Sequence, residues 1–211
     1  VVSGGNMSQS AVGDISAAGA GTIDVRVSGM MTMTDGAEIK SGSGNIRLAV
    51  TNGLQLGALS TSSDVSISAS TITDAGADAS DTVNISADEV YLSSTSSANG
   101  AGIGTGSNHL ELNASKLAAD VNGTGTGGLF ITESDGLQVG TLSAINVKNV
   151  AADALSTVST TDAAQSNISS DSNVVIVTNI GNIETLAGGG TLTAAGNILL
   201  DAKANFTLGA A

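Results

Sequence analysis

The feature that most constrains this chain is a short unit that recurs along nearly its whole length. A polar or Gly residue is followed by apolar-x-apolar and then a small residue. It occurs as TIDVRV from Thr22, NIRLAV from Asn45, DVSISA from Asp64 and TVNISA from Thr82. It continues as HLELNA from His109, GLFITE from Gly128, NVVIVT from Asn173 and NILLDA from Asn197, with a weaker copy, INVKNV, from Ile145. Alternation of apolar and polar residues over five or six positions is the mark of a half-buried strand. The step between units averages about 22 residues, varying from about 16 to 28, and recurrence at that spacing indicates a solenoid. A longer echo supports it. Residues 44–60 (GNIRLAVTNGLQLGALS) and 127–143 (GGLFITESDGLQVGTLS) align without a gap and share seven of seventeen residues.

Short strands, polar turns and this step predict an all-β fold, a right-handed parallel β-helix of about nine coils. Stacking would satisfy each coil's backbone from its neighbours and bury its inward side chains. Composition agrees. There is no Pro, where an average chain of this length has about ten, and a ladder that engages almost every N–H excludes it. Hydrophobic residues make up 41% and charged residues 12%, the opposite of the balance in disordered chains. One Tyr, two Phe and no Trp suit a narrow aliphatic interior. An antiparallel sandwich is the rival fold. Its usual core Trp or Tyr is missing. The whole chain, 1–211, reads as one solenoid segment with an irregular excursion at about 146–171. No polar capping helix is visible at either end, and the expectation is a piece of a longer chain or a subunit that stacks end to end.

Charge and residue types narrow the chemistry. A net charge of −13 with six scattered cations argues against nucleic acid and anionic membrane as partners. No apolar stretch is long enough for a membrane-spanning helix. Without Cys there is no thiolate site, and His109 is the sole His. Carboxylates are dispersed, so no catalytic pair suggests itself. Asp24 and Arg47 are expected to form a surface ion pair across adjacent coils, and His109 to be an ordinary surface residue. No cofactor is expected. Calcium is a remote option at 34–38 (TDGAE) and 73–81 (TDAGADASD), which match no standard calcium loop. Asn45, Asp64, Asn173 and Asn197, each just before a strand, are expected to cap turn backbone.

If the units form one strand column, its outward members are Asp24, Arg47, Ser66, Asn84, Glu111, Phe130, Val175 and Leu199. Phe130, Val175 and Leu199 are apolar, as is Val177 beside them, and such a stripe should not face water. It marks a partner or subunit interface, unless segment 146–171 folds over it or the register differs there. Six Asn-x-Ser/Thr sequons occur, and Asn122, in a Gly-rich loop, is the most accessible candidate for glycosylation.

The phrases GNIxLxV, SDGLQVGTLS and AAGNILLDAKANFTL resemble the β-helical shafts of large secreted bacterial exoproteins of the filamentous-haemagglutinin-like adhesin type. The resemblance implies an extracellular rod used for adhesion, cell–cell contact or matrix assembly. Its partners would be other copies or segments of the same surface protein, or a host or neighbouring-cell surface or glycan. It implies no catalytic residues. A carbohydrate-active β-helix enzyme, or a glycan- or ice-binding face of Ser and Thr rows, is the alternative.

Overall fold

The computed structural model describes residues 1–77, 83–151, 153 and 155–209. It is a parallel β-solenoid of eight rungs, each with a strand on three faces, and no helix is present among the described residues. The first face stacks β1 (Val2–Ser3), β4 (Ile23–Val27), β7 (Ile46–Val50), β10 (Val65–Ala69), the latter halves of β12 (Ile85–Ser94) and β14 (Leu110–Val121), β19 (Ile168–Ser170) and β22 (Leu192–Ala194). The second stacks β2 (Met7–Gln9), β5 (Met31–Met33), β8 (Gly53–Leu56), β11 (Thr71–Asp74), β13 (Gly102–Ile103), β15 (Gly128–Glu133), β20 (Asn173–Thr178) and β23 (Ile198–Asp201). The third stacks β3 (Ile15–Ala17), β6 (Glu38–Ser41), β9 (Ala58–Ser60) and the first halves of β12 and β14. Above these, the ends of β15 and β20 (Ile131–Glu133 and Ile176–Thr178) stack on the first half of β14, while β16 (Leu137–Val139), β21 (Ile183–Thr185) and β24 (Phe206–Leu208) stack on Lys116–Leu117, at the corner leading into its latter half.

The parallel coil predicted from the repeat is therefore present, with eight rungs rather than nine. The weaker unit at Ile145 does not join the stack. It is β17 (Ile145–Val150), which pairs antiparallel with β18 (Thr157–Asp162) in a separate hairpin. Along the first face, paired residues lie 24, 23, 19, 25, 27, 49 and 24 apart from rung to rung. The step of 49 is one ordinary coil plus the hairpin insertion.

Alternation puts one aliphatic column behind each face. Val25, Leu48, Ile67, Leu92, Ala119 and Ile168 run behind the first, all buried. Met31, Leu54, Ile72, Ile103, Leu129 and Val174 run behind the second. Burying such a side chain contributes about 1.5–3 kcal/mol. A bore this narrow fills with Ile, Leu, Val and Met. The third column begins in the same way with Ile39, Leu59, Ile85 and Leu112 and then changes to Glu133 and Thr178.

Side-chain caps join the rungs at their corners. Asn6 Oδ1 accepts from Met30 N, Asp14 Oδ1 from Glu38 N and Asn45 Oδ1 from Asp64 N. Asn84 Oδ1 accepts from Glu111 N, Asn167 Oδ1 from Thr191 N, Asn173 Oδ1 from Asn197 N and Asn182 Oδ1 from Asn205 N, at 2.9–3.1 Å. Each Asn or Asp satisfies an amide one coil further on, at a corner where the ladder cannot. The expected turn role of Asn45 and Asn173 is of this kind. Close stacking also demands Gly at some corners: a Cβ on Gly123 would lie 1.7 Å from the Ala101 carbonyl oxygen.

Candidate functional site

The predicted outward column does not exist as a single line. Asp24, Arg47 and Ser66 are aligned on the first face, where the next member is Tyr91. Phe130, Val175 and Leu199 are aligned on the second face. The strongest apolar-x-apolar unit of a coil moves from one face to another because corner loops differ in length.

Phe130, Val175 and Leu199 do form a stripe, and exposure grows along it. Phe130 is 8% exposed, Val175 is half-buried and Leu199 is 53% exposed. The loop from Gly104 to His109, closed by a Thr105–Asn108 bridge, lies over Phe130. A Cβ on Gly106 would sit 3.7 Å from Phe130 Cε1, and the His109 ring centroid is 6.1 Å from that of Phe130. This loop, not segment 146–171, is what covers the aromatic ring. Val177 is half-buried and lines a shallow groove of about 460 Å³ with Val83, His109, Glu111, Thr132, Ser134 and Asn179. His109 Nδ1 lies 2.9 Å from Thr132 Oγ1. His109 is accordingly half-buried between two rungs rather than a plain surface side chain.

The hairpin covers the polar end of the first face. Its strand β17 runs back down the stack. Asn45 Nδ2, in the corner before β7, donates to the Asn146 carbonyl at 3.0 Å. Thr22, before β4, donates from Oγ1 to the Lys148 carbonyl and accepts from Lys148 N at 2.7 Å. Beneath the hairpin, Arg47 Nε lies 2.9 and 3.0 Å from the two Asp162 oxygens, and its Nη1 donates to Asp24 Oδ1 at 3.1 Å. Ser66 Oγ donates to Asp162 Oδ2 at 2.6 Å. The expected Asp24–Arg47 pair is therefore formed across adjacent coils. It is not a surface pair, because the Asp24 side chain is 0% exposed. Burial acts to lower the Arg47 pKa, but the two carboxylates outweigh it and raise the value.

The remaining charges are spread along the outer surface. On the outward register Glu89–Lys116–Gln138–Glu184, Lys116 Nζ is 2.7 Å from Glu89 Oε1 and Gln138 Nε2 donates to Glu184 Oε2 at 3.0 Å. Burial pushes Glu89 up, but the Lys116 hydrogen bond and the Ser143 amide prevail and hold it below the usual carboxylate value. Glu133 differs in kind. It is fully buried, its Oε1 accepts from Ala114 N at 3.2 Å and Ser134 N at 3.0 Å, and its Oε2 has no hydrogen-bond partner. Burial raises its pKa to about 8. Sequence patterning missed this residue because its polarity reads as that of an outward position in ITESD.

Of the suggested calcium loop 73–81, residues 78–81 lie outside the described residues. Asp74, before them, accepts at Oδ1 from Gly76 N and Asn84 Nδ2 and at Oδ2 from Asn108 Nδ2, so its oxygens tie three loops together. Among the described residues no three His, Asp or Glu side chains converge on a point that could hold a metal. Asn122 is half-buried in a corner, with its backbone N–H on the Ser94 carbonyl. Comparison of the chain with models of protein families, with curated proteins and with solved structures gives no match to any of them.

Proposed function

We propose that the chain is a structural or adhesive β-helical segment of an extracellular surface or matrix protein, of the filamentous-haemagglutinin-like kind. The observation that carries this is the uninterrupted ladder of eight parallel rungs, cross-tied by Asn and Asp caps at the corners. At about 4.8 Å per rung such a stack is a rod roughly 35–40 Å long. Pulled or bent, it loads many backbone hydrogen bonds at once. The chain contains no Cys, so its stiffness needs no disulfide and no redox state. Its negative charge opposes non-specific clumping. The partners are other segments of the same surface protein and a neighbouring-cell or host surface or glycan. No cofactor is required and no reaction is catalysed.

The test is binding set against turnover. The purified segment is offered to cultured host cells, to neighbouring bacterial cells and to an array of glycans. In parallel it is incubated with acidic and neutral polysaccharides. Saturable binding without release of shortened chains supports the proposal. Release of reducing or unsaturated ends would sink it in favour of a carbohydrate-active β-helix.

A further inference from the structure

The hairpin leaves one strand edge open. In β17, the backbone of Asn146 and Lys148 faces the solenoid corner, where Asn45 and Thr22 satisfy it. The intervening residues Ile145, Val147 and Asn149 therefore carry the bonds to β18. In an antiparallel ladder, residues opposite one another point their N–H and C=O the same way, either at each other or both outward. Thr161, Ser159 and Thr157 stand opposite Asn146, Lys148 and Val150, so their backbone groups point away from the hairpin. Among the described residues, no strand other than β17 bonds to β18. Thr157, Ser159 and Thr161 are exposed, and Val158 is 58% exposed.

Open edges are normally blunted by Lys, Pro or a bulge. Thr157–Thr161 (TVSTT) has none of these and is rich in β-branched residues, which favour strands. It carries no charge on a chain whose net charge is −13, so it is a window where two copies approach at least electrostatic cost. Its sequence is also close to palindromic about Ser159. Thr157 and Thr161 are identical, and Val158 and Thr160 are nearly the same shape. Two identical edges meeting about a two-fold axis form an isologous contact. Ser159 would face Ser159, and Thr157 would face Thr161, cross-strand pairs that stabilise sheets. Asp162 would fall opposite Ser156 and not opposite itself.

We propose that β18 pairs edge to edge and antiparallel with β18 of a second copy, joining two rods side by side through a four-stranded sheet. This does not rest on the adhesive function and goes beyond it. The test is sedimentation of the chain from about 1 μM to about 500 μM, the range in which weak specific contacts titrate. Amide hydrogen exchange is measured at both ends of the range. The expected result is a reversible dimer in which the amides of Thr157, Ser159 and Thr161 gain protection with concentration. Ser159→Lys places two like charges across the axis and should raise the dissociation constant at least about ten-fold. Ser159→Thr should leave it within about three-fold. Thr157→Lys repeats the test at a second position, and circular dichroism confirms that each variant is folded. A chain that stays monomeric throughout overturns the proposal. So does association that Ser159→Lys and Thr157→Lys leave unchanged, as stacking through the rod ends would.

Discussion

Replacing Glu133 with Gln tests the interior of the rod directly. The inward column below Glu133 is Ile39, Leu59, Ile85 and Leu112, so a carboxyl group occupies a site built for an aliphatic side chain. Gln keeps the oxygen that accepts from Ala114 and Ser134 and removes the charge. The folded pKa is about 8 against an ordinary 4.5. Between these values the folded state holds a proton that the unfolded state has released. Stability must therefore fall as pH rises through that window, and level off above it. At about 1.36 kcal/mol per pKa unit the full span is on the order of 5 kcal/mol. Wild type and Glu133→Gln are unfolded in urea at intervals from pH 4 to pH 9. All other acids are common to both proteins, so the difference between the two curves reports on Glu133. That difference should be small at pH 4, move in favour of Gln between pH 5 and pH 8, and reach several kcal/mol by pH 9. Parallel curves across the range would show that the carboxylate is solvated in the folded chain, and the argument from burial would fail.

Three further substitutions, with Gly4→Ala as a control, probe how the rungs are held. Gly123→Ala forces a Cβ against the Ala101 carbonyl and should cost about 2–4 kcal/mol, whereas Gly4→Ala, with nothing within 4 Å, should stay within about 0.5 kcal/mol in thermal melts. Asn84 is buried and bonds Glu111 N, the Gly57 carbonyl and Asp74, so Asn84→Ala should cost about 2–4 kcal/mol in urea titrations by leaving these groups unpaired. Asp162→Ala removes the hairpin's grip on Arg47 and Ser66. Hydrogen exchange should show the amides of β17 opening more easily by about 1–3 kcal/mol, while those of β7 and β10 keep their protection.

What the sequence displayed was the coil, because the alternation of inward apolar and outward polar residues is the same physics on every rung. Ile46, Leu48 and Val50, read as an inward set, are inward. What it concealed was the assignment of units to faces. Residues 44–60 and 127–143 share seven of seventeen residues, yet Ile46 lies on the first face and Leu129 on the second. A strand on any of the three faces meets the same surroundings, an aliphatic bore inside and water outside, so its pattern carries no label for the face. Only corner length decides that, and the steps range from 19 to 49 residues. INVKNV misled for a related reason. Ile145 and Val147 are buried, as in a rung, but against the outside of the rod. Alternation reports that one side of a strand is covered and is silent about what covers it. Glu133 was hidden because a single charged residue at an inward position looks like a shift of register.

The hairpin changes what kind of object the rod is. In a simple solenoid each repeat touches only its neighbours, so unfolding can begin at any rung and spread one coil at a time. Here the insertion leaves the stack between β16 on the sixth rung and β19 on the seventh. It then runs back to bond Ser66 on the fourth rung, Arg47 and Asn45 at the third and Thr22 at the second. A break between the third and fourth rungs must separate β7 from β10 and also tear Asp162 from Arg47 or Ser66. The two losses occur together, which makes the middle of the rod more cooperative than a sum of nearest-neighbour contacts. The same insertion carries the open edge of β18. A single excursion of the chain thus ties distant coils together on its inner side and, on its outer side, supplies the only sheet edge among the described residues that runs along the rod rather than around it.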